Sequence, residues 1–127
     1  MKIQINAWVD HNCCELKEFL NGLSDAKRTS ILSLIKRVGD KGLPENEEQS
    51  RLIGDGLYQL MTHDGICVIW FYAGSNYIIC THAFFAESGD VDREIEKAKS
   101  IRNSYGEVEA NVSFKAARSA IVFRRNV

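Results

Sequence analysis

Hydrophobic and polar residues alternate through Lys2–Val9, with Ile3, Ile5, Ala7 and Val9 on one side and Lys2, Gln4, Asn6 and Trp8 on the other. A period of two is that of a half-buried strand. The period then changes. Leu16, Phe19, Leu20 and Leu23 recur at helical spacing behind Asn12 and Glu15, which stand three apart as in a capping box, and Gly22 loosens the end. Ser24 is placed to cap a second helix with the apolar stripe Ile31, Leu34, Ile35 and Val38. Lys27, Arg28, Lys36 and Arg37 fall on its solvent side, and Gly39 and Gly42 supply its stop. Together these segments predict a helical hairpin. The stretch Leu43–Ser50 holds the only proline, Pro44, and the acidic Glu45, Glu47 and Glu48, and predicts an exposed connection.

Three strands follow in sequence. His63-Asp64-Gly65 separates Leu57–Thr62 from Ile66–Tyr72, and Ala73-Gly74-Ser75-Asn76 separates the latter from Tyr77–Phe85; the aromatic and β-branched residues between these turns suit a pleated surface. The prediction is an antiparallel meander. Ser88-Gly89-Asp90 then supplies a turn and a cap, and Val91, Ile95, Ala98, Ile101 or Arg102, and Tyr105 share one helical face up to Gly106. In Ser113–Arg125, Phe114, Ala117, Ile121 and Val122 stand at helical offsets, which favours a short helix, although Ala-Ile-Val-Phe also suits a strand.

The meander is apolar on both alternating sets. Cys67, Ile69, Phe71, Ile78 and Cys80 are expected on one face and Val68, Trp70, Tyr72, Tyr77 and Ile79 on the other. Such a sheet needs cover on both sides. The helical hairpin can supply one. The other falls to the C-terminal segment or to a second chain, so a homodimer through the apolar sheet face is one expectation.

With 127 residues and ordinary apolar and charged fractions, 1–127 is most simply a single domain, in which 111–127 is a basic C-terminal extension. The formal charge is −1, yet Lys115, Arg118, Arg124 and Arg125 follow Ala110 with no acidic residue among them. No apolar run approaches the roughly 18 residues of a spanning helix, and the chain opens on a strand pattern, so a cytoplasmic protein with no membrane partner is expected. Cys13 and Cys14 are adjacent, Cys67 and Cys80 lie on separate strands, and there is no C-x-x-C; reduced structural thiols fit this spacing.

Three strings carry a family resemblance: Gly56-Leu57-Tyr58-Gln59-Leu60, His82-Ala83-Phe84 at the end of the last strand, and Arg93-Glu94-Ile95-x-x-Ala98 with Arg102 and Tyr105. With the order strand, two helices, meander and helix, the chain from about Trp8 to Tyr105 resembles the RelE/ParE superfamily of type II toxin–antitoxin toxins, in its HigB or phage-derived branch. The resemblance implies an α+β microdomain of N-terminal strand, helical hairpin, three-stranded antiparallel meander and C-terminal helix or helices. It implies cleavage of mRNA, at the ribosome in the usual case, and silencing by a cognate antitoxin. No cofactor or metal is implied. Where the family shows an arginine after E-L this chain has Met61; where it shows the arginine of the next strand it has Val68 or Cys67; and Ala86 and Glu87 replace a lysine pair. Cations at such positions stabilise a developing phosphorane charge, and losing one such donor typically costs about a hundredfold or more in rate. A RelE-fold binding module without nuclease activity is therefore the alternative.

Transfer from a ribose 2′-hydroxyl needs a base, an acid and donors on the phosphate. His82, His63, Tyr58 and Glu87 are the candidates for acid–base work, and Arg93, Arg102, Arg118, Arg124 and Arg125 for RNA binding. His82, flanked by apolar residues, suits a core position as well as a catalytic one. Trp70, Tyr72 and Tyr77 can stack bases or fill a core. His11-x-Cys13-Cys14 lacks a second ligand pair for zinc, and Gly54-Asp55-Gly56 precedes a strand, not a helix, which excludes a phosphate cradle. Cys67, Cys80 and His82 can converge as nucleophile and base, but no orienting third group accompanies them.

Overall fold

The computed structural model of the protein describes residues 4–9, 13–42, 50–74, 77–87, 90–111 and 121–122. Along them run β1 (Gln4–Ala7), α1 (Glu15–Asn21), α2 (Asp25–Lys41), β2 (Ser50–Gly54), β3 (Leu57–Met61), β4 (Ile66–Gly74), β5 (Tyr77–Phe85), α3 (Val91–Asn111) and β6 (Ile121–Val122). The strands form one sheet in the order β2-β3-β4-β5-β1-β6. From β2 to β5 each pairs antiparallel with the next, β1 runs parallel to β5, and β6 lies antiparallel to β1. The α+β class implied by the resemblance is the one observed.

Both sheet faces are buried. On one, Leu16, Leu20, Ile31, Leu34, Ile35 and Val38 of the helical hairpin pack on Ile5, Ala7, Leu60, Val68, Trp70, Ile78 and Cys80. On the other, Ala98 and Tyr105 of α3, with the half-buried Ile95 and Ile101, cover Leu57, Cys67, Ile69, Phe71, Ile79 and Phe84. The second face is thus covered by α3. Trp8 joins this layer, its ring edge-on to Tyr105 at 5.8 Å, and Asn6 is fully enclosed, so the polar side of β1 is interior at these two residues and exposed only at Gln4 among the described ones.

Four further expectations are corrected. The meander has a fourth strand, β2, made invisible in the sequence by its shortness and exposure; Leu52 is 60% exposed at this sheet edge. It turns into β3 through Asp55-Gly56, with φ of 53° and 75° as a two-residue hairpin turn demands. Helix α1 starts at Glu15 behind Cys14, which makes no side-chain cap; Asn12 of the expected capping box lies outside the described residues. Helix α3 passes through Gly106 to Asn111; an interior glycine costs a helix only roughly 1 kcal/mol and does not by itself end it. Ile121–Val122 pair with β1 as a strand where a helix was favoured.

The hairpin has a polar clip. The Arg28 guanidinium donates to the carbonyls of Leu20 (2.9 Å), Leu23 (2.8 Å) and Asn21 (3.3 Å) and to the Asp25 carboxylate (3.1 Å), so one side chain satisfies the end of α1 and the turn into α2. Ser24 accepts from the Lys27 N–H and caps α2 as expected. Replacing Arg28 by alanine leaves those carbonyls to water and is expected to lower stability by about 1–3 kcal/mol; lysine, without the planar fork, recovers less than half. A reduced urea midpoint with unchanged slope is the measured outcome.

Candidate functional site

The site starts from an irregularity. In β5 and β4, Trp70 pairs with Cys80 and Ile69 with His82, so Thr81 is an extra residue, a β-bulge. Regular pairing puts every second residue on one face, and one inserted residue reverses the alternation after it. His82 is thereby turned from the hairpin side to the α3 side. The Thr81 hydroxyl donates to the Ile69 carbonyl at 3.1 Å and pins the bulge. Its proton being so used, Thr81 Oγ1 accepts from His82 Nδ1 at 3.0 Å, which assigns the ring proton to Nδ1 and leaves Nε2 bare. Nε2 stands 3.5 Å from a Glu94 carboxylate oxygen, without hydrogen-bond geometry.

His82 is 2% exposed. Burial, followed by the nearby Lys97 charge, holds its pKa below the ordinary histidine value, while Glu94 and Glu15 pull the other way. The ring is therefore neutral at pH 7, with a basic nitrogen enclosed under α3. Beside it lies a cleft of about 220 Å³ walled by Trp8, Glu15, Thr81, Lys97, Ser100 and Ile101, and the Lys97–Glu15 ion pair at 2.5 Å spans it from α3 to α1.

The other acid–base candidates are elsewhere. Tyr58 is on the hairpin face, stacked on Trp70 with centroids 4.5 Å apart. His63 is exposed in the β3–β4 turn and Glu87 in the turn after β5; the two turns are neighbours, since Ala86 N–H donates to the Gly65 carbonyl at 2.8 Å. The structure does not assemble His82, His63, Tyr58 and Glu87 into one centre. Of the three aromatic stacking candidates, Trp70 is fully buried with Tyr72 edge-on to it at 4.9 Å, Tyr72 is 40% exposed, and Tyr77 is half-buried on the α3 face.

Among the cations, Arg93 is exposed in the first turn of α3, where Asp90 accepts from its backbone N–H at 3.3 Å. Arg102 donates to the Asp55 carbonyl, and Lys99 pairs with the Asp55 carboxylate at 3.1 Å, so together they hold the β2–β3 turn against α3. Arg118, Arg124 and Arg125 lie outside the described residues. Among the described residues no group of three metal-ligating side chains converges, and no helix is long and apolar enough to cross a membrane. Of the residues matched to the resembling toxins' arginines, Met61 is a cross-strand partner of Cys67 on the α3 face, and Val68, the alternative to Cys67 for the second position, is wholly buried on the other.

A family model described as "Phage derived protein Gp49-like (DUF891)" matches residues 18–102, from within α1 to within α3. The chain belongs to that family. The Gp49-like family is RelE-toxin-like and is associated with the toxins of toxin–antitoxin systems. Among solved structures, the conserved hypothetical protein HP0894 from Helicobacter pylori is similar at 14% identity and a TM-score of 0.44, over 68% of this chain and 97% of that one. No curated protein matches.

Two outcomes are expected from these environments. Because folding lowers the His82 pKa, its contribution to stability is complete above the unfolded value of about 6.5 and declines as pH falls from there toward the folded value. Lys97→Met removes a charge opposing protonation and should shrink that loss, whereas Glu94→Gln should enlarge it; melting temperatures across the mildly acidic range measure both. Separately, Cys13 is exposed while Cys14, Cys67 and Cys80 are buried, with burial pushing the Cys80 thiol up to about 12. A disulfide reagent should therefore modify one thiol in the native protein, slowly because Glu18 raises the Cys13 pKa, and four after denaturation.

Proposed function

We propose that this Gp49-like protein is the toxin of a type II toxin–antitoxin pair, of the HigB kind, which cuts mRNA in the cytoplasm and is silenced by a small cognate antitoxin. Family membership across 18–102 carries the reading. The fold order supports it. The reaction is metal-independent: a base takes the ribose 2′-hydroxyl proton, the oxygen attacks the adjacent phosphorus, and an acid protonates the leaving 5′-oxygen. His82 is the strongest candidate for the base, since its Nε2 is bare and its ring neutral at pH 7. Arg93 is a candidate for phosphate contact. Substrate access to Nε2 requires Glu94 and the start of α3 to shift, because the ring is enclosed in this conformation.

One observation favours a second reading, a RelE-fold binding module without nuclease activity. The four acid–base candidates do not converge, and uncharged side chains fill the positions of the toxins' strand arginines. Controlled expression in a bacterial host separates the two. The toxin reading expects growth arrest with new mRNA 5′ ends, relief of both by His82→Gln in a protein that still folds, and rescue by the antitoxin from an adjacent reading frame. Normal growth with intact messages, given soluble folded protein, leaves the binding module.

A further inference from the structure

The cross-strand register joins residues that are far apart in sequence into one row: Arg51 pairs with Gln59, Gln59 with Ile69, and Ile69 with His82. Directly paired residues share a face, so Arg51 lies on the α3 side with His82, at the open edge of the sheet. Three inter-strand steps place their Cα atoms roughly 14 Å apart. Arg51 is exposed, and its charge lowers the pKa of the buried Cys67 thiol against the larger effect of desolvation. The guanidinium field therefore falls on the sheet face.

Three other cations bordering this face are committed. Lys97 is paired with Glu15, Lys99 with Asp55 and Glu96, and Arg102 with the Asp55 carbonyl. Arg51 has no carboxylate partner among the described residues. An exposed strand edge is also where an extended chain can lie without displacing the core. We propose that Arg51 is an RNA-phosphate contact, gripping the backbone of a single strand at the β2 edge of the row that ends in His82. This assignment rests on the ribonuclease reading above and adds to it a residue and a direction of approach.

The test is binding of a labelled single-stranded RNA across a salt series by the wild-type chain, Arg51→Ala, Arg51→Lys and, as a charge-matched control on the hairpin layer, Arg37→Ala. Melting temperatures verify folding, which an exposed edge residue should not disturb. The expected result is roughly three- to tenfold weaker binding by Arg51→Ala, with a log–log salt slope shallower by about 0.7, the value of one phosphate contact on a single strand. Arg51→Lys should retain most of the affinity, and Arg37→Ala should match wild type. Wild-type binding that Arg51→Ala leaves unchanged, or that Arg37→Ala weakens equally, overturns the assignment while the nuclease reading stands. A folded wild-type chain that neither binds nor cuts RNA overturns both.

Discussion

The central strand pair β4–β5 is apolar on both faces, and the rest of the molecule answers that constraint. Val68, Trp70, Ile78 and Cys80 require one cover and Ile69, Phe71 and Ile79 another. The helical hairpin and α3 supply them. Fully burying one such side chain is worth about 1.5–3 kcal/mol, whereas an exposed ion pair contributes roughly 0–1 kcal/mol. The apolar stripe of α3, chiefly Ala98 and Tyr105 with Ile95 and Ile101, therefore holds the helix down. Its polar contacts to Glu15 and Asp55 set its direction across the sheet.

The bulge at Thr81 links this packing to chemistry. It shifts β5 by one residue, sends His82 under α3 and fixes its tautomer through a hydroxyl already committed to the Ile69 carbonyl. A histidine in this setting is neutral and basic, but it is enclosed and faces the Glu94 carboxylate. The same arrangement suits a catalytic base that waits for a rearrangement and a histidine kept for packing. Its bare nitrogen ties the nuclease reading to one atom.

Electrostatics on the α3 side is local and mostly satisfied. Lysines and an arginine of α3 neutralise Glu15 and Asp55 and tie three elements together. Among the described residues of this side, the side chains that remain unpaired stand at the periphery: Arg51 on the edge strand and Arg93 at the start of α3. A polyanion approaching this face thus meets free charge first at the rim.

Much of the fold was legible along the chain. The hairpin stripe Ile31, Leu34, Ile35 and Val38, the Ser24 cap and the strands of the meander all repeat with periods that only one local structure satisfies. The sequence also determined that two covers were needed, because neither alternating set of β4 is polar. It could not say that α3 was the second cover, since a stripe on a helix does not name the surface it meets. It missed β2, whose exposed residues show no period, although Asp55-Gly56 was a usable hairpin signal. It misassigned the faces of β5 and left the position of His82 open, because inter-strand register depends on how two strands meet. A single bulge, stabilised by a hydroxyl across the pair, reverses every side chain beyond it. Which residue types were available was decided by the sequence; which of them share a face was decided only by tertiary pairing, because register is a contact between distant segments.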